Sequence, residues 1–300
     1  MEGKTGGTDT ARYCYSVWLR HLSIAYENKL TTQPNVIAKL GPGDSLGIGL
    51  AGLISGADKY YAFDVVKYST TERNVRLFYE LVDLFRARED IPDEAEFPDV
   101  KPYLKSYQFP HHILNDARLK ACLQPDRIQT IKDAPSECEN NLSSEKRILI
   151  KYCVPWYDSS VLEKESVDMI YSQAVLEHVD NLDSVYQGLF HWLKPNGFMS
   201  HQIDFKCHGK AEKWNGHWAH SDFVWKVIRG KRTYLLNREP HSVHINLQKK
   251  GGFKILADIR IQNTTGIARK HLAPRFKRLS DDDLTTSGAF IMSVKQDKYR

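Results

Sequence analysis

Apolar residues in this chain recur in two rhythms. Short, nearly continuous apolar runs occur at NVIAKL (35–40), YYAFDV (60–65), RILIKY (147–152), SVDMIYS (166–172), GFMSHQIDF (197–205), GGFKILADIRI (251–261) and SGAFIMSV (287–294). Runs of this length flanked by turn residues read as strands buried on both faces. Between them lie stretches with helical spacing. Thr10 to Asn28 places Tyr13, Val17, Leu22 and Tyr26 near helical intervals, with aromatic residues on more than one face, so this helix is expected to pack over another element. Thr71 to Arg88 carries an apolar stripe through Val75, Phe78, Leu81, Val82 and Phe85. Further helices are predicted over LAGLISGADK (50–59), Ser184 to Leu193, and Pro240 to Lys250. LKPNG (193–197) supplies the turn where helix stops and strand restarts.

Two stretches break the pattern. Residues 89–146 carry prolines at 92, 98, 102, 110, 125 and 135 without a long apolar segment, and read as an insertion of short helices and loops. Residues 206–238 are irregular and dense in His, Trp and Lys, and read as a lid. Strand–helix alternation predicts an α/β fold: a Rossmann-like, mostly parallel seven-stranded sheet whose last strand is antiparallel, because the final two strands lack an intervening crossover helix. The expected division is an N-terminal helical cover over 1–34 and a main domain over 35–300, with insertions near 89–146 and 206–238.

Composition adds few constraints. At 300 residues, 41% hydrophobic and 26% charged, the chain can bury a substantial core. A net charge of +5, spread among acids, indicates no nucleic-acid partner. Cys14, Cys122, Cys138, Cys153 and Cys207 are odd in number and widely spaced, which reads as reduced thiols. The start, MEGKTGGTDT, has no hydrophobic signal core, and no apolar run approaches the ~20 residues of a membrane span. A soluble, cytoplasmic protein is the expectation.

Candidate chemistry begins at GPGDSLGIG (41–49), between the first strand and its helix. Gly41 and Gly43 let the backbone turn tightly and approach a ligand without an intervening Cβ. Asp44 or Ser45 can cap the helix start, and Asp64 closes the second strand, where a carboxylate can accept two ribose hydroxyls. GPGDSLG, Asp64, VDMIYSQAVLEHV and WLKPNGFMSHQIDF stand in the order found in class I S-adenosylmethionine-dependent methyltransferases, and the chain resembles the methyltransferase type 11 group over 35–90 and 147–258. A nicotinamide oxidoreductase fits less well: Gly43 and Gly47 are three residues apart instead of two, and LEHV has no role there. A cofactor-binding protein without turnover is the other alternative.

The resemblance implies S-adenosylmethionine as cofactor. It places Gly41, Pro42, Gly43 and Asp44 against the methionine part, Asp64 on the ribose, Val65 beside the adenine, and Ser172, Gln173 and Ala174 beside the transferred methyl. It also marks a departure, since the family's acid two positions before the first loop glycine is Lys39 here. The expected acceptor is a small molecule or glycan, methylated on oxygen. A hydroxyl acceptor must lose a proton, and His208 first, then His201 and Asp204, are the candidate bases at the end of the fifth strand. His217 and His220 lie in WNGHWAHSDFVW, where Trp214, Trp218 and Trp225 either stack on a flat acceptor or form the lid's own core. Cys207, His208, His217 and His220 lack the paired spacing of a metal site, so no metal is expected. The oligomeric state is not legible.

Overall fold

The computed structural model describes residues 7–134, 148–156, 159–232 and 235–296. The start MEGKTG, the cluster ECENNLSSEK with Cys138, and Arg147 fall outside the described residues. Seven strands, β1 (Val36–Leu40), β2 (Lys59–Phe63), β3 (Leu149–Cys153), β4 (Val167–Gln173), β5 (Leu193–Asp204), β6 (Phe253–Gln262) and β7 (Thr286–Lys295), form one sheet in the order β3-β2-β1-β4-β5-β7-β6. The first five are parallel, and β7 runs antiparallel between β5 and β6. The helices are α1 (Ala11–Glu27), α2 (Gly47–Ile54), α3 (Thr71–Ala87), α4 (Asp116–Cys122), α5 (Pro125–Lys132), α6 (Leu182–Trp192), α7 (Asp222–Arg229), α8 (His241–Lys250) and α9 (Asp281–Thr285).

The strand period of two divides the core into two layers. Ile37, Tyr60, Met169, Tyr171, Phe198, Phe290 and Met292 face α1, α2 and α3. Ala38, Leu40, Phe63, Ile170, Met199, Ile203 and Ile291 face α6 and its neighbours. Both layers are mainly apolar, which explains why the parallel strands read as short, mostly apolar runs.

Helix α1 starts at Thr10, whose hydroxyl accepts from the Tyr13 amide, and packs on α2 and α3. Its outer side is covered by the 89–134 segment, held through Arg20. That guanidinium is fully buried and donates to the carbonyls of Pro92, Val100 and Pro102 and to the Ser16 hydroxyl. A planar five-donor head satisfied by chain carbonyls can fix an irregular segment that has no sheet partner. On α3 the buried stripe runs through Leu77 rather than Val75, which is 40% exposed because its position turns outward. Strand β5 starts earlier than its sequence suggests. Leu193 already pairs with Val167, the next pair is Phe198 with Met169, and the four residues between bulge outward around Asn196 in a left-handed conformation.

Candidate active site

The carboxyl ends of β1, β2, β4 and β5 meet at one edge of the sheet, where an open α/β fold presents its ligand crevice. After β1 the chain turns at Gly41 (φ 58°) and Gly43 (φ 75°). A Cβ on Gly41 would stand 2.5 Å from Cγ2 of Val175, so glycine is needed for both conformation and closeness. Pro42 and Asp44 are buried. The loop is tied from outside: the Asp44 amide donates to the Thr8 hydroxyl, Arg73 donates to the Asp44 carbonyl, and Ser45 Oγ donates to the Thr8 carbonyl. Of the two candidate helix caps, Ser45 takes a turn amide, that of Gly47 at 3.0 Å. Thr8 and Arg73 carried no sequence signal, since each acts through contacts distant along the chain.

Asp64 follows β2 and faces the glycine loop. Its Oδ1 accepts from the Val65 amide at 2.7 Å, and Val65 itself is 59% exposed. Burial pushes the Asp64 carboxyl up, while the amides of Val65, Val66 and Gly43 and the charge of Lys39 pull it back. Lys39 is almost wholly buried beneath the loop, donating to the carbonyls of Leu40 and Gly41. Burial pushes its ammonium down to about 8, against the attraction of Asp64.

The three residues at the end of β4 diverge. Ser172 turns into the α6 layer, its hydroxyl 2.8 Å from His201 Nδ1. Gln173 lies across the sheet, donating to the Lys101 carbonyl of the 89–134 segment. Ala174 holds a left-handed φ of 51° while its amide donates to the Gln202 carbonyl, which re-aims the chain into the LEHV turn. In that turn Glu177 is buried with both carboxylate oxygens unpartnered by hydrogen bonds. Burial, with Asp204 adding to it, pushes the Glu177 carboxyl well up.

Asp204 closes β5. His208 Nε2 lies 3.4 Å from Asp204 Oδ2, and the Lys206 amide donates to Oδ1. Burial pulls the Asp204 carboxyl up, but His208 and the Lys206 amide and ammonium outweigh it and leave it lowered. The His208 ring is 35% exposed and lies 5.3 Å from that of His178. His201 is different. It sits inside the α6 layer, fully buried, and burial pushes its imidazole down to about 3. A sealed, hydrogen-bonded ring cannot meet an acceptor in the crevice, so the structure separates His201 from Asp204 and His208. His217 is likewise buried and pushed down to about 3, by burial and then by Arg238. Trp214, Trp218 and Trp225 are buried too, their indole N–H groups donating to the carbonyls of Asn263, Arg238 and Leu236. They form the core of the 206–238 segment rather than an open platform.

Residues 130–200, from the approach to β3 through the first half of β5, match the family described as a methyltransferase domain. Over that stretch the chain is similar to methyltransferase domains. No curated protein matches it in sequence. Among solved structures it is similar to an S-adenosylmethionine-dependent methyltransferase from Mesorhizobium loti (13% identity, 87% of this chain and 91% of that one, TM-score 0.41). It is also similar to phosphoethanolamine N-methyltransferase 2 of Haemonchus contortus, solved with S-adenosylmethionine (14% identity, 93% and 53% covered, TM-score 0.44). The [4+2]-cyclase SpnF is a third (12% identity, 92% and 80% covered, TM-score 0.43). These likenesses are too distant to bear on what this chain acts upon. Among the described residues no helix is long and apolar enough to cross a membrane.

Proposed function

We propose that this chain is an S-adenosylmethionine-dependent methyltransferase that transfers the methyl group to a hydroxyl of a small molecule or glycan, with His208 as the base and Asp204 as its partner. The observation that carries this reading is the Asp204–His208 pair at the end of β5, one strand from Ala174. An ionised carboxylate beside an imidazole orients the ring and stabilises the imidazolium that forms when the ring takes a proton. Exposure of the His208 ring leaves it open to an acceptor, unlike His201 and His217.

The residues at the crevice also fit the cofactor. The turn at Gly41, Pro42, Gly43 and Asp44 offers close backbone contact for the methionine part. Asp64, with one oxygen held by the Val65 amide, is set to accept ribose hydroxyls, and exposed Val65 flanks the adenine. Gln173 and Ala174 border the methyl, and Ser172 supports them from the layer beneath through His201. Bound S-adenosylmethionine supplies a methyl activated by positive sulfur, so the protein's task is alignment and proton removal.

A panel of hydroxyl and amine acceptors, followed by single-turnover rates of His208→Ala, tests the reading. Hydroxyl methylation slowed roughly a hundredfold or more, with cofactor affinity unchanged, is the expected result. A folded His208→Ala enzyme with a near-normal rate, or activity confined to amines, overturns it.

A further inference from the structure

Lys39 is an odd occupant of its position. It alternates with Ile37 on the β1 face that packs against α1, where a leucine or methionine would fill the space without charge. Burying an ammonium costs several kcal/mol unless it is paired and hydrogen-bonded. Its hydrogen bonds go to the carbonyls of Leu40 and Gly41, the residues that open the glycine loop. The charge it feels is that of Asp64, across the loop at the end of β2.

The titratable groups packed around the Lys39 ammonium are neutral. On α1, burial pushes the Cys14 thiol up to about 12, and burial together with Lys39 pushes His21 down to about 3. On the neighbouring strands, burial raises the phenols of Tyr60, Tyr152 and Tyr171. Asp44 lies further along the loop, its carbonyl bonded by Arg73, whereas the pairing of Lys39 with Ala62 and the bond from the Gly41 amide to the Phe63 carbonyl bring Lys39 and Asp64 to the same end of β1 and β2. A ribose lying on Asp64 would strip its remaining water and favour the protonated carboxyl, which can no longer accept two hydroxyl hydrogen bonds. A fixed cation beneath the loop opposes that change.

We propose that Lys39 is a positioning residue of the cofactor site, clamping the opening carbonyls of the glycine loop and supplying the positive charge that keeps Asp64 a carboxylate beneath the ribose. This rests on Asp64 as the ribose partner. Lys39 touches no reacting atom. Its effect is on the strength and pH range of cofactor binding.

Calorimetry with S-adenosylhomocysteine between pH 7.5 and 5.5 separates the two ideas, using wild type, Lys39→Gln, Asp64→Asn and the double variant, each checked by a thermal melt. Gln keeps a donor for the Gly41 carbonyl and removes the charge. Wild-type affinity is expected to hold within about twofold, whereas Lys39→Gln weakens with falling pH by up to roughly tenfold per unit, as a proton must leave before binding. Asp64→Asn should bind weakly without that pH dependence, and the double variant should match it. Wild-type affinity in Asp64→Asn would remove the ribose reading itself. Weak binding by Asp64→Asn beside a Lys39→Gln profile parallel to wild type overturns the role of Lys39 alone. Tighter binding by Lys39→Gln at every pH overturns it as well, because Lys39 would then be opposing the cofactor's own positive charges. If Lys39→Gln does not fold, the carboxyl carbon resonance of Asp64 in the wild-type complex, assigned with Asp64→Asn, decides: an ionised group at pH 6 supports the proposal and a protonated one refutes it.

Discussion

Acid should destabilise this protein well before its surface carboxylates titrate, because four imidazoles are sealed in the neutral form. His21, His201, His217 and His244 are each pushed from 6.5 to about 3, with burial the first cause in every case. As pH falls below 6.5, the unfolded chain takes up protons that the folded chain refuses, so stability is lost progressively from there towards pH 3. Between pH 7 and 5.5 each histidine withdraws about 1.3 kcal/mol, roughly 5 kcal/mol for the four. That size depends on the unfolded value alone as long as the folded one stays well below 5.5. Glu177 works in the opposite direction, because burial raises its folded carboxyl and acidification therefore favours the folded state at this group. The histidine loss of roughly 5 kcal/mol is thus an upper bound, a large share of the ~5–15 kcal/mol that a domain has. Denaturant unfolding followed by the fluorescence of buried Trp18, Trp192 and Trp218 measures it directly. Glu177→Gln, lacking the offset, should lose more stability than wild type over the same interval. Equal wild-type stability at the two pH values would refute the reasoning, and so would a variant with the wild-type slope.

At Gly43, the left-handed φ of 75° excludes a β-branched side chain at a strain of about 1–3 kcal/mol, so Gly43→Val should abolish cofactor binding by calorimetry while retaining a cooperative melt; unchanged affinity in the folded variant would displace the cofactor from this loop. Trp225 is packed against the Arg238 guanidinium at 5.0 Å, and Trp225→Ala should cost about 3–5 kcal/mol of stability. An unaltered melt with a raised KM would make it an acceptor platform instead.

The sheet could be read from the chain because both its faces are largely apolar, which gives short, mostly apolar runs such as Val36–Leu40 bounded by turn residues. The glycine loop could be read because its residues are contiguous. What eluded the sequence depends on contacts across long separations. Arg20 looks like a surface residue of an amphipathic helix until carbonyls from residues 92 to 102 arrive to satisfy it. His201 and His208 look equivalent in sequence, both close to the end of β5. Strand alternation sends one into the α6 layer, and a left-handed turn at His208 (φ 48°) leaves the other at the surface beside Asp204. The helix stop at Leu193 was misplaced because a four-residue bulge interrupts the pairing, and such an interruption has no periodicity to detect.

The position of β7 has a consequence for biosynthesis. The strand carrying Asp204 is flanked by β4 on one side and by β7 on the other, and β7 is the last of the seven to leave the ribosome. Until residues 286–295 emerge, β5 presents an open edge of unpaired amides and carbonyls, with Met199 and Ile203 beside it. A nascent chain stalled between β6 and β7 would hold a complete glycine loop next to an unfinished side of β5, with a strand edge ready to pair with another chain. Ribosome-bound intermediates of this length are therefore the ones that should engage chaperones, and release of the last ten-residue strand is the event that should dismiss them.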